Sequence, residues 1–433
     1  MKTAYLRNIA CIILLALVAA GCSQKSSDPI VDAELNQLLN AKQYFKLRDK
    51  LAKSEDKLSS DRFMYYQAHV NHVFDRCEQS NANIETLLEK YSDRLNDTLK
   101  GELLLLNAAN STRLYRYKDA AKAYATILEQ YRHVLDEDDV ESYQNVQMLW
   151  ATLSNVPPQQ IHKPADIELA GYHNQFNHHM IPVRAGSEAT DFIFDTGANL
   201  STITVSSAEK MGMTLYDVDI TAKAATDVSV KSMLAVADSI FISKLLVENV
   251  VFLVVPDEQL SFPSIGYEIK GIIGFPVFHQ MGEVRMRNDG TILIPKDPVN
   301  KSLGNLYVEN LHPAVQVLSG SDTLIFTLDT GAKSTDLTKL YYDKHKSAVE
   351  SNGELITSMQ GSAGGFIEKE VYLLKDFPFT IGSKSGNISE VCVNLEDRVF
   401  NSMQDGNLGQ DVLAQFSELV LSFTYMYVDF NEL

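Results

Sequence analysis

Between residues 30 and 156 apolar positions recur at i, i+3, i+4 and i+7, the spacing that puts one buried stripe on a helix. Leu, Ala, Glu, Lys, Gln and Tyr dominate this stretch, and no proline follows Pro29 until Pro157. Sliding the chain by 40 residues lays Ile84, Leu87, Leu88, Glu89 and Tyr91 on Tyr124, Ile127, Leu128, Glu129 and Tyr131, and Ala68 on Ala108. Tyr44 and Leu47 fall more weakly on Ile84 and Leu87. A period of this length means helix hairpins that stack to bury faces none can bury alone, and about three fit. Val156-Pro157-Pro158 ends the pattern, since prolines break helices and stiffen linkers. Beyond it come short runs rich in Val, Ile, Phe and Thr, such as Asp191-Phe192-Ile193-Phe194 and Val250 to Val255, cut by Gly, Asn, Asp and Pro. That texture predicts an all-β region.

The β region repeats itself. Asp195-Thr196-Gly197-Ala198 returns as Asp329-Thr330-Gly331-Ala332, and the register extends outward, with Val183 on Val317, Gly186 on Gly320, Ser187 on Ser321 and Ser201 on Thr335. About 80 residues after each Asp stands a matched element, Gly271-Ile272-Ile273-Gly274 and Gly406-Asn407-Leu408-Gly409. Each copy therefore reads as a hairpin turning at Gly186 or Gly320, an apolar strand, then Asp-Thr-Gly. The strand delivers a carboxylate onto a tight turn where glycine lets backbone approach closely. A threonine hydroxyl both donates and accepts, so it can tie one turn to the other. Joined about a pseudo-twofold, the copies would put both carboxylates at one seam. Two carboxylates a few ångströms apart share one proton. Such a pair can deprotonate a water while protonating the carbonyl it attacks.

Phe194-Asp195-Thr196-Gly197-Ala198 and Leu328-Asp329-Thr330-Gly331-Ala332, each followed by its apolar-Gly element, resemble the active-site signatures of aspartic proteases. Alanine after the glycine and the short copies are more similar to retropepsins than to pepsins, although both copies lie in one chain, as in pepsin. The resemblance covers about residues 166–433. It implies a two-lobed, pseudo-dimeric fold with Asp195 and Asp329 as the catalytic pair. It further implies Thr196 and Thr330 as cross-linked hydroxyls, and Gly197 and Gly331 as backbone contacts to substrate. Gln360 to Phe366, with Gly361, Gly364 and Gly365, resembles a flap that closes over substrate; the first copy's counterpart falls near Ala224 to Lys231. Neither carries the tyrosine of pepsin flaps. Two departures stand out: Asn407 replaces an apolar residue, leaving that half looser or supplying an amide hydrogen bond, and Lys333 stands where the first copy has Asn199. A lysine there either points to solvent or favours ionised carboxylates. Because Ala198 and Ala332 carry no hydroxyl, the pair is expected to keep its proton to higher pH than a pepsin pair, with an optimum at about pH 5–7.

The amino terminus has its own pattern. Lys2 and Arg7 precede an apolar run from Ile9 to Ala20, too short to span a bilayer, which reads as a secretory signal. Val18-Ala19-Ala20-Gly21-Cys22 resembles the lipobox of bacterial lipoproteins and implies cleavage before Cys22 and lipidation of its thiol. Export would leave Cys77 and Cys392, more than 300 residues apart, as two buried thiols. Ala108, Ala120 and Tyr124 resemble positions of a tetratricopeptide repeat, a module that usually holds a peptide or packs on a neighbouring domain.

Composition sets the limits. At 433 residues with 45% hydrophobic and 22% charged residues, the chain is globular and long enough for about three domains. A net charge of −18 excludes a nucleic-acid partner. His69, His72, His178 and His179 stand in pairs without metal-ligand spacing, so neither metal nor cofactor is expected. The expected organisation is signal 1–21, lipidated Cys22 and tether 22–29, helical repeats 30–156, linker 157–165, and lobes 166–297 and 298–433. The expected molecule is a monomeric outer-membrane lipoprotein facing the periplasm or the surface. It would cleave peptides and hold a protein partner on its helices, and its two cores would fold independently. The competing reading is a catalytically inactive peptide-binding lipoprotein that keeps the fold.

Overall fold

The computed structural model describes residues 26–223, 229–362, 365–396 and 403–432. The expected signal, Cys22, Gly364 and the first flap tip at 224–228 lie outside the described residues. The helical region contains α1 (Pro29–Asn40), α2 (Tyr44–Leu51), α3 (Ser60–Val73), α4 (Cys77–Lys90), α5 (Asp97–Arg113), α6 (Tyr117–Gln130) and α7 (Glu137–Thr152). Pro29, read from sequence as tether, opens α1, and Asp28 caps that helix by accepting from the Ile30 N–H at 2.9 Å. Helices α4 and α6 begin 40 residues apart, as do the caps Asn96 and Asp136 of α5 and α7. The period is thus a property of the folded chain. Ala68, Ala108, Ile84, Leu87 and Ile127 all lie in the buried stripe.

The apolar core of the helices extends onto the β region. Leu47, Tyr66 and Leu103 share one apolar cluster with Tyr307 and Ala314 of the β region. Tyr44 and Phe45 meet the Tyr307 ring edge-on at 5.1 and 5.4 Å. At the other end, Trp150 stacks on Tyr117 and joins Val218, Leu234, Val236 and Val251 in a second mixed cluster. The main β core holds no residue of the helices, and the two regions meet through these mixed clusters. A short hairpin array has a second apolar face to cover, and the backs of the β-sheets cover it. The segment expected to be a linker is likewise fastened down. Gln160–His162 pairs with 246–248 as an edge strand, and the buried Gln159 amide donates to the Pro276 carbonyl at 3.1 Å.

The first half of the β region supplies β1 (Ile167–Ala170), β2 (His179–Ala185), β3 (Glu188–Phe194), β4 (Ser201–Thr204), β5 (Thr214–Lys223), β6 (Ser229–Ile242), β7 (Leu245–Val255), β8 (Gly271–Ile273), β9 (Glu283–Arg287) and β10 (Thr291–Ile294). The second supplies β11 (Leu306–Glu309), β12 (His312–Ser319), β13 (Asp322–Leu328), β14 (Asp336–Leu337), β15 (Glu354–Ser362), β16 (Gly365–Ile381), β17 (Lys384–Asn394), β18 (Gly406–Leu408), β19 (Glu418–Ser422) and β20 (Tyr427–Asn431). Each half threads its short late strand between two early ones. Strand β8 runs parallel to β3, with Ile273 opposite Phe194, and antiparallel to β4. Strand β18 does the same between β13 and β14, with Leu408 opposite Leu328. The hairpins β2–β3 and β12–β13 turn at Gly186 and Gly320, whose φ of +56° and +58° suit glycine. A five-stranded sheet in the order β1-β10-β9-β19-β20 takes strands from both sides of residue 297, so the expected lobe boundary crosses a shared sheet. One hydrophobic core runs through both halves.

Candidate active site

Strands β3 and β13 carry fully buried aromatic anchors, Phe192 and Phe194 in one and Phe326 in the other. Burying such rings fixes the strands, and each strand stops at its aspartate. The Asp195 N–H donates to the Ile273 carbonyl and the Asp329 N–H to the Leu408 carbonyl, both at 3.0 Å. The central wedges β8 and β18 therefore set where each carboxylate begins.

The turns that follow are tied reciprocally. The Thr196 N–H donates to the Thr330 hydroxyl at 3.0 Å, and that hydroxyl donates to the Phe194 carbonyl at 3.0 Å. The Thr330 N–H donates to the Thr196 hydroxyl at 3.1 Å, which donates to the Leu328 carbonyl at 2.7 Å. Both threonines are buried, so all four groups depend on these bonds. The close approach requires glycine: a Cβ on Gly197 would strike the Asp329 carboxylate, and one on Gly331 the Asp195 carboxylate. Asp195, Thr196, Gly197, Asp329, Thr330 and Gly331 thus come together from two distant parts of the chain.

The two carboxylates converge on one donor: the Gly331 N–H reaches Asp195 Oδ1 at 3.1 Å and Asp329 Oδ1 at 3.0 Å. Desolvation first, and then the Asp329 charge, push the Asp195 carboxyl well above its ordinary range, against the pull of the Gly197 N–H. Their other partners differ. Asp195 Oδ1 accepts from Gly197 N at 2.7 Å and Gly331 N at 3.1 Å. Asp329 Oδ1 accepts from Gly331 N at 3.0 Å and Ala332 N at 2.9 Å, and its Oδ2 accepts from the Asn407 amide at 3.0 Å. Asn407 is buried, and the position that matches it in the first copy is Ile272. Of the two roles its sequence position suggested, looseness or a hydrogen bond, the structure has the hydrogen bond.

Sequence reasoning passed over three further residues. Gln410 donates to the Thr330 carbonyl at 2.8 Å and accepts from Asn177 at 2.6 Å, bracing the second turn from the first half. His312 contacts the Gly197 carbonyl through Nε2 at 2.9 Å. Gln410 was legible as the residue that breaks the repeat after Gly409, where the first copy has Phe275. Nothing in the local pattern marks His312 or Asn177. His178, whose pairing with His179 gave no metal-ligand spacing, contacts the Tyr267 hydroxyl at 2.7 Å. Lys333 and Asn199 are both exposed, and neither is among the hydrogen-bond partners of the two carboxylates described above. Gly361 and Gly365 lie at the end of the β15–β16 hairpin, where Ser362 pairs with Gly365. That hairpin end is where the flap was expected.

Residues 181–277 match the family model of the aspartyl proteases. The match takes in the first Asp-Thr-Gly turn and its Gly271–Gly274 wedge, and supports an aspartic protease-like domain following a helical region. No curated protein matches the chain.

Proposed function

We propose that this chain is a membrane-tethered aspartic endopeptidase that hydrolyses peptide bonds with a water activated between Asp195 and Asp329. The observation that carries the reading is the pair of carboxylates that share the Gly331 N–H on two turns tied by the reciprocal Thr196 and Thr330 bonds. The repeated wedge topology supports a pseudo-dimeric, retropepsin-like arrangement of the two halves, with the β15–β16 hairpin as one flap. The raised Asp195 carboxyl supports a singly protonated pair at working pH. The ionised member takes a proton from water as its oxygen attacks the peptide carbon. The protonated member gives its proton to the carbonyl oxygen. The tetrahedral adduct then collapses as a proton reaches the amide nitrogen and the C–N bond breaks. No acyl-enzyme forms on this route. Lipidation at Cys22 would hold the molecule at the outer membrane, periplasmic or surface-facing, and the helical repeats would receive a protein partner.

The test is to incubate the detergent-purified full-length protein with a library of internally quenched peptides in ¹⁸O-labelled water. Discrete internal cuts, each with one ¹⁸O in the new carboxylate, are expected. Absence of cleavage across pH 4 to 8, or a trapped covalent acyl-protein, would overturn the reading.

A further inference from the structure

The two halves repeat their backbone around the dyad but not their chemistry. On the Asp195 side the wedge strand β8 places Ile272; on the Asp329 side β18 places Asn407, whose amide donates to Asp329 Oδ2 at 3.0 Å. Asp329 therefore accepts three hydrogen bonds from N–H donors, over both its oxygens. Asp195 accepts two, both on Oδ1. A donor stabilises a charged acceptor more than a neutral one, so the negative charge settles where donors are more numerous. We propose that Asn407 is a positioning residue that makes the two carboxylates inequivalent, fixing Asp329 as the ionised member and leaving the shared proton on Asp195. This rests on the proposed hydrolytic reading and assigns its roles: Asp329 takes the proton from water, and Asp195 protonates the substrate carbonyl.

Other charged or titratable groups face this arrangement. His178 precedes β2 and His312 opens β12; burial lowers both and favours their neutral forms, against the pull of Asp329. Asp336 lies across from Asn407 on β14 and accepts from Asn394 at 3.0 Å. The Asn407 amide is the group seen donating to Asp329 Oδ2, and Ile272 at the matching place in the first half has no such donor to offer.

The pH consequence has a definite sign. On going from the doubly protonated to the singly ionised pair, the Asn407 bond gains strength. On going from the singly to the doubly ionised pair, it is already made. Removing it should therefore raise only the acidic limb of the kcat/KM profile, by about one pH unit for one bond to a charged group. The basic limb should stay in place. The experiment compares the full-length protein with Asn407→Leu, and with Asn407→Ser as a smaller replacement too short to reach Asp329, using quenched peptides. A uniform fall in kcat/KM at unmoved limbs would mean that Asn407 only supports the fold, and would overturn the proposal. So would profiles superimposable on the parent.

A ¹³C titration of the aspartate carboxyl carbons, run on the same proteins, needs no turnover. The first ionisation should belong to Asp329 and should move upward in both variants. Asp195 ionising first in the parent would contradict the assignment even if cleavage is normal. A parent that cleaves nothing while its carboxyl titrations behave as stated would instead count against the hydrolytic reading alone.

Discussion

Asp195 is half-buried beside a second carboxylate, and its carboxyl is raised well above its ordinary range. The unfolded chain releases this proton near pH 4, whereas the folded chain keeps it to higher pH. Between those values the folded state binds more protons than the unfolded one, so stability falls as pH rises and levels off above the folded value. Asp195→Asn mimics the protonated side chain and should remove this slope. Urea unfolding at pH 4 to 8 should show the parent losing stability relative to Asp195→Asn with rising pH, then reaching a plateau. A difference independent of pH would mean that the carboxyl is not perturbed. The aspartates and threonines of this site were legible because an exact tetrapeptide recurs in matched surroundings. Asn407 was visible as a break in that repeat, but its partner was not, because a side-chain amide shows no sign in sequence of what it meets in space.

Elements were legible where their signal is local. The 40-residue helix period, the Pro157-Pro158 stop and the Gly186 and Gly320 turns follow from spacing and from backbone preference. Pairing between distant strands leaves no such trace. The antiparallel match of Glu283–Arg287 with 418–422 joins segments more than 130 residues apart, and an apolar strand reads alike whichever neighbour covers it. The same blindness hid the packing of the helices on the sheets. Trp150, the single tryptophan of the chain, sits on α7 within that packing and reports on it. Phe326→Ala, in the β core, should cost about 3–5 kcal/mol by cavity formation. If the cores are coupled, the urea midpoint followed by Trp150 fluorescence should fall with it. A Trp150 transition that stays put while the β signal moves would show two independent cores.

At the scale of the whole molecule, the helical region touches both halves of the β region. The Tyr115 hydroxyl donates to the Pro276 carbonyl at 2.7 Å, and Lys42 pairs with Glu309 at 2.6 Å. The shared five-stranded sheet closes the opposite connection, with β9 on β19. The relation between the two Asp turns is therefore set by long-range packing as well as by the threonine bonds. The central claim is that Asp195 and Asp329 act as one unit. The measurement that tests it is kcat/KM on a quenched peptide for Asp195→Asn, Asp329→Asn and the double variant, each checked for native unfolding. Each single change should lower kcat/KM by at least about a thousandfold, and the double variant should be no worse than either single, as for groups that share one step. Near-parental turnover in either single variant, or losses that multiply in the double, would contradict a shared-proton pair.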